Sequence, residues 1–326
     1  MRSPSVSITG ATGFIGWHLC EAFRDAGWRV VASARPGSAG AVPAGVVRAE
    51  AALEADALAP VFEGADVVVH AAGMTRGHLA EALHAVNEDG TRAVVAAVNA
   101  TGARLVLVSS QAAAGSGTRS RPAREDDEPR PITAYGRSKL AGEQVVRSAA
   151  RVPWTIVRPA SVYGPRDRQF LPLFRLASRG LFPVVAAPGA AFTLVHVDDV
   201  TRGILLAATT PASAVKGTTL FLGHPQAPSA DELLSALARV LGRRFRPMRI
   251  PEPLLRALAL FGDLAWRAGR RPMLDSVRLA ELRAEGFVCA VDRARDTIGF
   301  SAAVPLESGL ERTARWYREA GWIRRV

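Results

Sequence analysis

Tyr135 and Lys139 stand four residues apart in the stretch ITAYGRSKLAGE, at positions 132–143. On a helix, positions i and i+4 share a face, so the phenol and the ammonium are expected to project in the same direction. A free phenol has a pKa of about 10, and a general base should titrate nearer neutrality. One cation at about 4 Å contributes roughly the 4 kcal/mol that lowers a pKa by about 3 units. We therefore predict that Tyr135 is an acid/base group whose pKa is lowered by Lys139.

Lysine is scarce in this chain, which draws attention to its use at position 139. Lys139 and Lys216 are the only lysines among 41 Lys and Arg residues. A compact ammonium can donate to ribose hydroxyls while it stays beside the phenol, and a planar guanidinium has a different reach. The alternative is that Tyr135 packs and Lys139 is a solvated helix residue.

Two serines end the apolar stretch RLVLVSS at positions 104–110. In open α/β sheets ligands bind outside the carboxyl ends of the strands, so a hydroxyl at this place can hydrogen-bond a substrate carbonyl. Ser110 is expected to take this part, and Ser109 is the competing candidate.

The stretch TGATGFIGWHL follows the first apolar segment and carries glycines on the spacing GxxGxxG. Glycine allows a tight turn and close approach of the backbone to a pyrophosphate, while a helix N-terminus offers unpaired N–H groups to phosphate. A plain glycine-rich turn is the alternative, but the position at the first strand of an alternating chain favours dinucleotide binding. The residues predicted to contact the cofactor here are Gly10, Thr12, Gly13, Phe14, Ile15 and Gly16.

The second apolar segment, RVVASAR, ends at Arg35, where folds that prefer NAD usually carry an acidic residue for the ribose hydroxyl. An arginine can instead pair with the 2′-phosphate of NADP through charge-assisted hydrogen bonds. NADP(H) is therefore the expected cofactor, with NAD(H) as the alternative.

Short apolar runs alternate with helical stretches through the first half of the chain. This alternation predicts crossover units and a parallel sheet covered on both faces, hence an α/β, Rossmann-type doubly wound fold. Beyond Pro165 the pattern loosens into helices, short strands and many prolines. We expect a dinucleotide-binding domain at 1–165 and a smaller, irregular substrate lobe at 166–326, partly interleaved with the first.

The net charge of +11 comes from scattered arginines, without a recognisable nucleic-acid motif, so a solvated surface is favoured over a nucleic-acid site. Cys20 and Cys289 are too few for a disulfide framework or a cysteine metal site, and no metal is expected. The chain passes directly into VSITG without a secretory signal pattern, which favours a cytoplasmic location.

The most apolar run, LLRALALFGDLAW at 254–266, is shorter than the roughly 18 residues that span a bilayer. Its helical spacing favours a packed helix over a membrane anchor, and no stable membrane insertion is expected. Whether this helix touches lipid or only caps a pocket is left open.

Motifs in order along nearly the whole chain resemble the extended short-chain dehydrogenases/reductases, the NAD-dependent epimerase/dehydratase family. The matching stretches are TGATGFIG (9–16), VVHAAG (68–73), NEDGT (87–91), VSS (108–110), YGRSK (135–139), RPASVYGP (158–165), HVDDV (196–200) and the tail 298–317.

The resemblance implies a catalytic triad of Ser110, Tyr135 and Lys139 that moves a proton as hydride passes to or from a nicotinamide. It also places Ala71, Ala72 and Gly73 beside the cofactor, and Pro159 to Val162 near the nicotinamide. Asn87 and His196 are expected to be hydrogen-bonded framework residues rather than catalysts. Family members are often dimers, here through helices near 81–100 and 134–149.

Family members that act on nucleotide sugars usually carry Asn at the position of Ser161 and an Arg just before the segment matching HVDDV, and this chain lacks both. The second lobe instead offers apolar residues that could form either core or a pocket: Phe170, Leu171, Leu173, Phe174, Leu176, Phe182 and the run 254–266. The chain is therefore expected to interconvert a ketone and a secondary alcohol on a hydrophobic small molecule, as in the 3β-hydroxysteroid dehydrogenase and dihydroflavonol reductase branches. The alternatives are a nucleotide-sugar epimerase or dehydratase and a cofactor-sensing regulator without turnover.

Overall fold

The structure, a computed structural model, describes residues 3–76, 79–270 and 272–324. The first six strands belong to one sheet: β1 (Ser5–Thr9), β2 (Arg29–Ala34), β3 (Val47–Glu50), β4 (Val67–His70), β5 (Arg104–Val108) and β6 (Trp154–Pro159). The later strands are β7 (Ser161–Tyr163), β8 (Phe182–Val184), β9 (Ala191–Phe192), β10 (Leu194–His196), β11 (Thr218–Leu222), β12 (Pro247–Arg249) and β13 (Gly286–Phe287).

The helices of the first half are α1 (Phe14–Asp25), α2 (Ala55–Phe62), α3 (Ala80–His84), α4 (Gly90–Thr101) and α5 (Ala134–Ala149). A π-helical turn, Ala85–Asp89, joins α3 to α4, and a 3-10 turn, Gln111–Ala113, follows β5. The second half contributes α6 (Leu171–Ser178), α7 (Val197–Thr209), α8 (Ala212–Val215), α9 (Ala230–Val240), α10 (Glu252–Arg267), α11 (Ser276–Arg283), α12 (Asp292–Ile298) and α13 (Leu306–Glu319).

The main sheet has seven parallel strands in the order β11-β6-β5-β4-β1-β2-β3. Its central strands are buried on both faces, because helices α1 and α7 cover one face and helices α2, α4 and α5 cover the other. This arrangement confirms the predicted doubly wound Rossmann-type fold. The strand order reverses beside β1, so the carboxyl ends of β1 and β4 flank the place where such sheets bind ligands.

A second apolar core lies between α6, α9 and α13 and contains the buried rings of Phe174, Phe182 and Tyr317. Three two-stranded parallel sheets, β7 with β10, β8 with β12 and β9 with β13, belong to this part of the chain. Strand β11, although it comes late in the sequence, pairs with β6 at the edge of the main sheet. The chain therefore returns to the first core, and its division at residue 165 stays a prediction.

Helix α10 coincides with the apolar run at 254–266, but the expectation that this helix is packed is wrong for most of its surface. Leu255 and Ala259 are buried, whereas Leu254, Leu260 and Leu264 are more than half exposed. Within the described residues, no helix is both long enough and apolar enough to cross a bilayer.

Candidate active site

The glycine-rich turn after β1 is fitted against the segment that follows β4. Gly10 has a φ of +71°, a left-handed conformation that favours glycine. A Cβ at this position would lie 2.5 Å from the backbone nitrogen of Ala72, so a larger residue would push the two strand ends apart. The turn is closed by the N–H of Gly13, which donates to the Gly10 carbonyl at 2.9 Å.

Helix α1 begins at Phe14 directly after Gly13, and no side chain caps its first turn. Its first N–H groups therefore keep their hydrogen-bonding capacity and the positive end of the helix dipole, as a phosphate requires. Uncapped N–H groups and a backbone cradle without Cβ atoms fit the pyrophosphate of a dinucleotide. The residues of this turn and helix that line the central cavity are Gly10, Gly13, Phe14, Ile15 and Gly16.

The segment after β4 passes close to the lysine of the predicted triad. A Cβ at Gly73 would lie 3.1 Å from the Asn87 side-chain oxygen and 3.7 Å from the Lys139 ammonium. Asn87 accepts from the Met74 N–H at 2.8 Å and donates to the Met74 carbonyl at 2.9 Å. It also donates to the Ser138 hydroxyl at 2.9 Å. Asn87 thus joins this segment to α5, as expected of a framework residue.

His196 is also a framework residue, as expected. It precedes α7, and its Nδ1 accepts a hydrogen bond from the Asp198 N–H at 3.3 Å. The imidazole is buried and packs edge-on against the ring of Tyr163. His196 therefore caps a helix and supports the strand pair β7 and β10.

Helix α5 starts next to the end of β5 because Thr133 caps it, accepting from the Gly136 N–H at 3.2 Å. This start places Tyr135 within hydrogen-bonding reach of Ser110. Burial raises the pKa of Tyr135 to about 12; the Ser110 hydrogen bond opposes this rise and the negative charge of Glu281 adds to it. The expected pKa near neutrality is therefore not met in this structure, and the phenol is protonated at neutral pH.

Lys139, which was expected to lower the pKa of Tyr135, is hydrogen-bonded to a backbone carbonyl. The Lys139 ammonium is buried and donates to the Val108 carbonyl at 2.8 Å. Burial lowers the pKa of Lys139 to about 8, and the nearby carboxylate of Glu143 partly opposes that shift. Lys139 therefore holds α5 against the end of β5 and brings a titratable cation close to Gly73.

The two serines after β5 have different partners. Ser109 is buried and donates to Glu143 Oε1 at 2.5 Å. The same carboxylate receives two hydrogen bonds from the buried guanidinium of Arg158, at 2.8 and 2.7 Å. Ser109 thus belongs to a buried charge network under the site, whereas Ser110 accepts from the Ala112 N–H at 3.2 Å and lines the cavity together with Tyr135.

Sequence reasoning missed this network, although two signals could have indicated it. Glu143 follows Lys139 by one helical turn, so the two side chains share a face. Arg158 is a charged residue inside the apolar strand WTIVRP, and a buried charge requires a partner.

A cavity of about 1440 Å³ opens beside the phenol and extends from the glycine turn to α10 and α11. Ser110, Tyr135, Pro159 and Val162 line it, together with Ala71 and Gly73. Thr12, Ala72 and Lys139 are not among its lining residues, and neither is Arg35, which is exposed and directly follows β2. The structure therefore brings the predicted catalytic hydroxyls together at one wall of a large chamber.

The outer wall of the chamber is formed mainly by apolar residues of the second lobe. Of the residues named from sequence, Phe170, Leu173 and Leu176 line the cavity, while Leu171, Phe174 and Phe182 are buried in the second core. Leu258, Phe261 and Trp266 of α10 complete the wall. The polar residues contributed by α11 are Arg278 and Glu281, which pair with each other at 3.2 Å.

Gln111 is a site residue that sequence reasoning did not single out. It follows Ser110, is almost fully buried and lines the cavity. Its side-chain nitrogen has no hydrogen-bond partner within the described residues. A buried amide donor without a partner is costly, which makes it a candidate ligand for a substrate oxygen.

Residues 6–223 match the model of the NAD dependent epimerase/dehydratase family. The chain belongs to this family. The match includes the glycine turn, the Ser110–Tyr135 pair and the Glu143–Arg158 network, and it confirms the resemblance seen in the motifs. Members of the epimerase/dehydratase family share the Rossmann-type sheet, and this chain is an NAD-dependent oxidoreductase of the extended short-chain type.

Among curated relatives within the epimerase/dehydratase family, the chain is 32% identical to a ceramide reductase of Caulobacter vibrioides, covering 98% of this chain and 96% of the relative. It is 26% identical to a 2-alkyl-3-oxoalkanoate reductase of Stenotrophomonas maltophilia, covering 94% and 97%. A solved structure of MoeE5 in complex with UDP-glucose and NAD superimposes with a TM-score of 0.75 at 26% identity, covering 97% of this chain and 99% of MoeE5.

Proposed function

We propose that this protein is an NADPH-dependent reductase that converts a ketone on a lipid-like skeleton into a secondary alcohol. The observation that carries the proposal is the placement of Ser110 and Tyr135 together at the wall of a large chamber whose outer wall is mainly apolar. The similarity to proteins named ceramide reductase and 2-alkyl-3-oxoalkanoate reductase supports the same substrate class.

The protonation state of Tyr135 favours reduction. A phenol with a pKa of about 12 keeps its proton at neutral pH, which is the state that can protonate a ketone oxygen. When bound, the dinucleotide supplies the hydride that reaches the carbonyl carbon. Ser110 hydrogen-bonds the carbonyl oxygen, Tyr135 gives it a proton as the C=O π bond breaks, and the phenolate regains its proton from solvent.

The groups that would hold the cofactor are the uncapped start of α1, the backbone cradle at Gly10 and the Lys139 ammonium near Gly73. The preference for NADPH rests on Arg35, whose exposed side chain makes no hydrogen bond or ion pair with any part of the chain that the structure describes. A free guanidinium at the end of β2 suits a 2′-phosphate. Arg48 supports the neighbouring loop by donating to the carbonyls of Ser38 and Gly40.

Gln111 narrows the substrate class. Gln111 lines the cavity directly after Ser110 in the chain, and its amide nitrogen is buried without a partner within the described residues, so a rotation of the side chain would let it donate to a second oxygen close to the ketone. A 3-oxo amide, ester or acid carries such an oxygen, whereas a simple ketone does not. We assign Gln111 as a substrate-orienting residue for 3-oxo compounds.

A nucleotide-sugar epimerase is the alternative, supported by the likeness to MoeE5 with its UDP-glucose. The position where such enzymes usually carry Asn is Ser161 here, and it lines the cavity. The outer wall is mainly apolar, and its Arg278 is already paired with Glu281, whereas a nucleotide diphosphate needs several polar contacts. An epimerase returns its hydride to the same substrate and consumes no NADPH.

The test is nicotinamide absorbance with NADPH and a panel of long-chain ketones, 3-oxo amides and UDP-hexoses. A reductase oxidises NADPH in proportion to the ketone reduced, and the Tyr135→Phe variant binds NADPH but does not turn over. Interconversion of UDP-hexoses without net NADPH oxidation would support the epimerase instead. A wild-type protein that binds NADPH and transforms no compound in either class would favour a cofactor sensor.

A further inference from the structure

The exposed apolar side chains of this protein are concentrated around α10. Nine of the twelve large hydrophobic side chains that are exposed within the described residues lie in 181–277. They are Leu181, Met248, Leu254, Leu258, Leu260, Phe261, Leu264, Met273 and Val277. We call these nine residues the apolar face. Folded proteins rarely leave so many large apolar side chains of one region in water unless the region binds something.

Helix α10 is divided into three stripes at about 100° per residue. One stripe, with Leu255 and Ala259, is buried against α11. The polar stripe contains Glu252, Arg256 and Asp263. The third stripe is apolar and exposed, and it covers roughly 160° of the helix circumference. In order around the helix it contains Leu260, Leu264, Phe261 and Leu258. A stripe this wide, on a helix too short to span a bilayer, is typical of helices that lie in a membrane interface.

The chain around the apolar face carries a local excess of positive charge. Residues 243–271 contain eight arginines and two carboxylates, a formal surplus of six positive charges. Both carboxylates already have partners, since Glu252 pairs with Arg256 and Arg283 and Asp263 accepts from Ser276. The exposed side chains of Arg244, Arg246 and Arg270 make no ion pair within the described ranges. These cations remain available for an external anion.

The apolar face is continuous with the substrate chamber. Leu258 and Phe261 are exposed, and both also line the cavity that contains Tyr135. Trp266, five residues beyond Phe261 on α10, lines the cavity as well. A hydrophobic molecule that leaves a bilayer beside α10 would therefore reach the cavity along apolar side chains.

We propose that the apolar face and its flanking arginines dock this protein on an anionic phospholipid bilayer, from which the hydrophobic substrate enters along α10. Charge favours a bilayer over a second copy of this chain, because two copies joined through the same face would bring their excess arginines together. The docking rests on this surface alone, so it can be tested apart from the reductase chemistry.

The test is flotation of the full chain with vesicles of phosphatidylglycerol and phosphatidylcholine, compared with phosphatidylcholine alone. The wild-type protein is expected to float with the anionic vesicles and to be released by high salt, since screening weakens surface attraction. The double variant Leu260→Gln/Leu264→Gln, which changes no cavity-lining residue, is expected to lose about tenfold or more of its partitioning. Arg244→Glu/Arg246→Glu is expected to lose binding to anionic vesicles.

Matched controls are Val47→Gln, an equally exposed apolar residue on the edge strand β3, and Arg151→Glu, an exposed arginine before β6. Both controls should float like the wild type. The proposal is overturned if wild-type protein stays unbound with anionic vesicles, or if both double variants float unchanged. It is also overturned if light scattering shows a wild-type dimer that Leu260→Gln/Leu264→Gln converts to a monomer, which would assign the face to self-association.

Reduction of a short, water-soluble ketone, measured without vesicles, separates this inference from the proposed function. The Leu260→Gln/Leu264→Gln variant should keep that activity. If the protein floats with vesicles but reduces no ketone, the proposed reductase function is wrong and the docking proposal is supported. If it reduces a ketone but does not float, the docking proposal is wrong and the reductase function is supported.

Discussion

The ammonium nitrogen of Lys139 lies 2.8 Å from the backbone carbonyl oxygen of Val108, the last residue of β5. This hydrogen bond ties the second turn of α5 to the end of β5, two residues before Ser110. Because Tyr135 is one helical turn before Lys139, the same bond holds the phenol next to the Ser110 hydroxyl. The lysine thus positions the acid/base pair through the backbone.

The pKa of Lys139 gives a pH-dependent stability. It is lowered from 10.5 to about 8 by burial, so between these values the unfolded chain binds more protons than the folded one. The free energy of unfolding should therefore rise with pH across that window, by up to about 3 kcal/mol. Urea titrations at several pH values should show this rise relative to Lys139→Met, which has no group to titrate. If the unfolding free energies of the wild type and of Lys139→Met changed in parallel with pH, the pKa of Lys139 would not be lowered.

The two serines should separate chemistry from stability. Ser110→Ala removes the hydroxyl that contacts Tyr135 and should lower kcat by about 100-fold or more while the protein stays folded. Ser109→Ala removes one donor from the buried Glu143 carboxylate and should cost about 1 kcal/mol or more of unfolding free energy with kcat largely retained. Measurements of kcat and of urea unfolding for both variants test this assignment. If Ser109→Ala lowered kcat and Ser110→Ala lowered only the unfolding free energy, Ser109 would be the catalytic serine.

Arg35 should control the choice between NADPH and NADH. Arg35→Ala removes the cation expected at the 2′-phosphate, so the Kd of NADPH should rise about tenfold or more while that of NADH changes little. Arg29→Ala is the matched control, because Arg29 is an exposed arginine at the start of β2 and Arg35 directly follows the end of that strand. Fluorescence titration of each variant with NADPH and with NADH measures the two Kd values. If Arg35→Ala raised both Kd values equally, or changed neither, Arg35 would have no part in cofactor selection.

Gln111 should matter only for substrates with a second oxygen. Gln111→Leu keeps the size of the side chain and removes the amide, so kcat/KM for a 3-oxo amide should fall about tenfold. A simple ketone of the same chain length should be reduced as before. The simple ketone controls for folding, because a misfolded variant would reduce both substrates poorly. An equal fall in kcat/KM for the two substrates would indicate a structural role for Gln111.

Much of this fold follows from local pattern. The strands from β1 to β6, except β3, and the helices between them lie where apolar runs and helical periodicity predict them. Strand β3, Val47–Glu50, was missed because its edge position leaves it half exposed and its sequence lacks an apolar run. The motif order was sufficient to indicate the family, which residues 6–223 confirm.

Other features depend on contacts between distant segments and could not be predicted. The pKa of Tyr135 is set by its burial and by Ser110 and Glu281, which lie 25 residues before and 146 residues after it in the chain. The exposure of Leu260 and Leu264 depends on which side of α10 meets α11. Helical spacing identified an apolar helix, but only the tertiary packing shows that most of its apolar surface is uncovered.

Tyr135 is expected to protonate a ketone oxygen while hydride is delivered to the carbonyl carbon of a product that is then released. This transfer can be followed with NADPH deuterated at the transferred position, a long-chain 3-oxo amide and mass spectrometry of the product. We expect a secondary alcohol that carries deuterium on its carbinol carbon, formed by the wild type and not by Tyr135→Phe. An alcohol without deuterium, or equal formation by Tyr135→Phe, would contradict it.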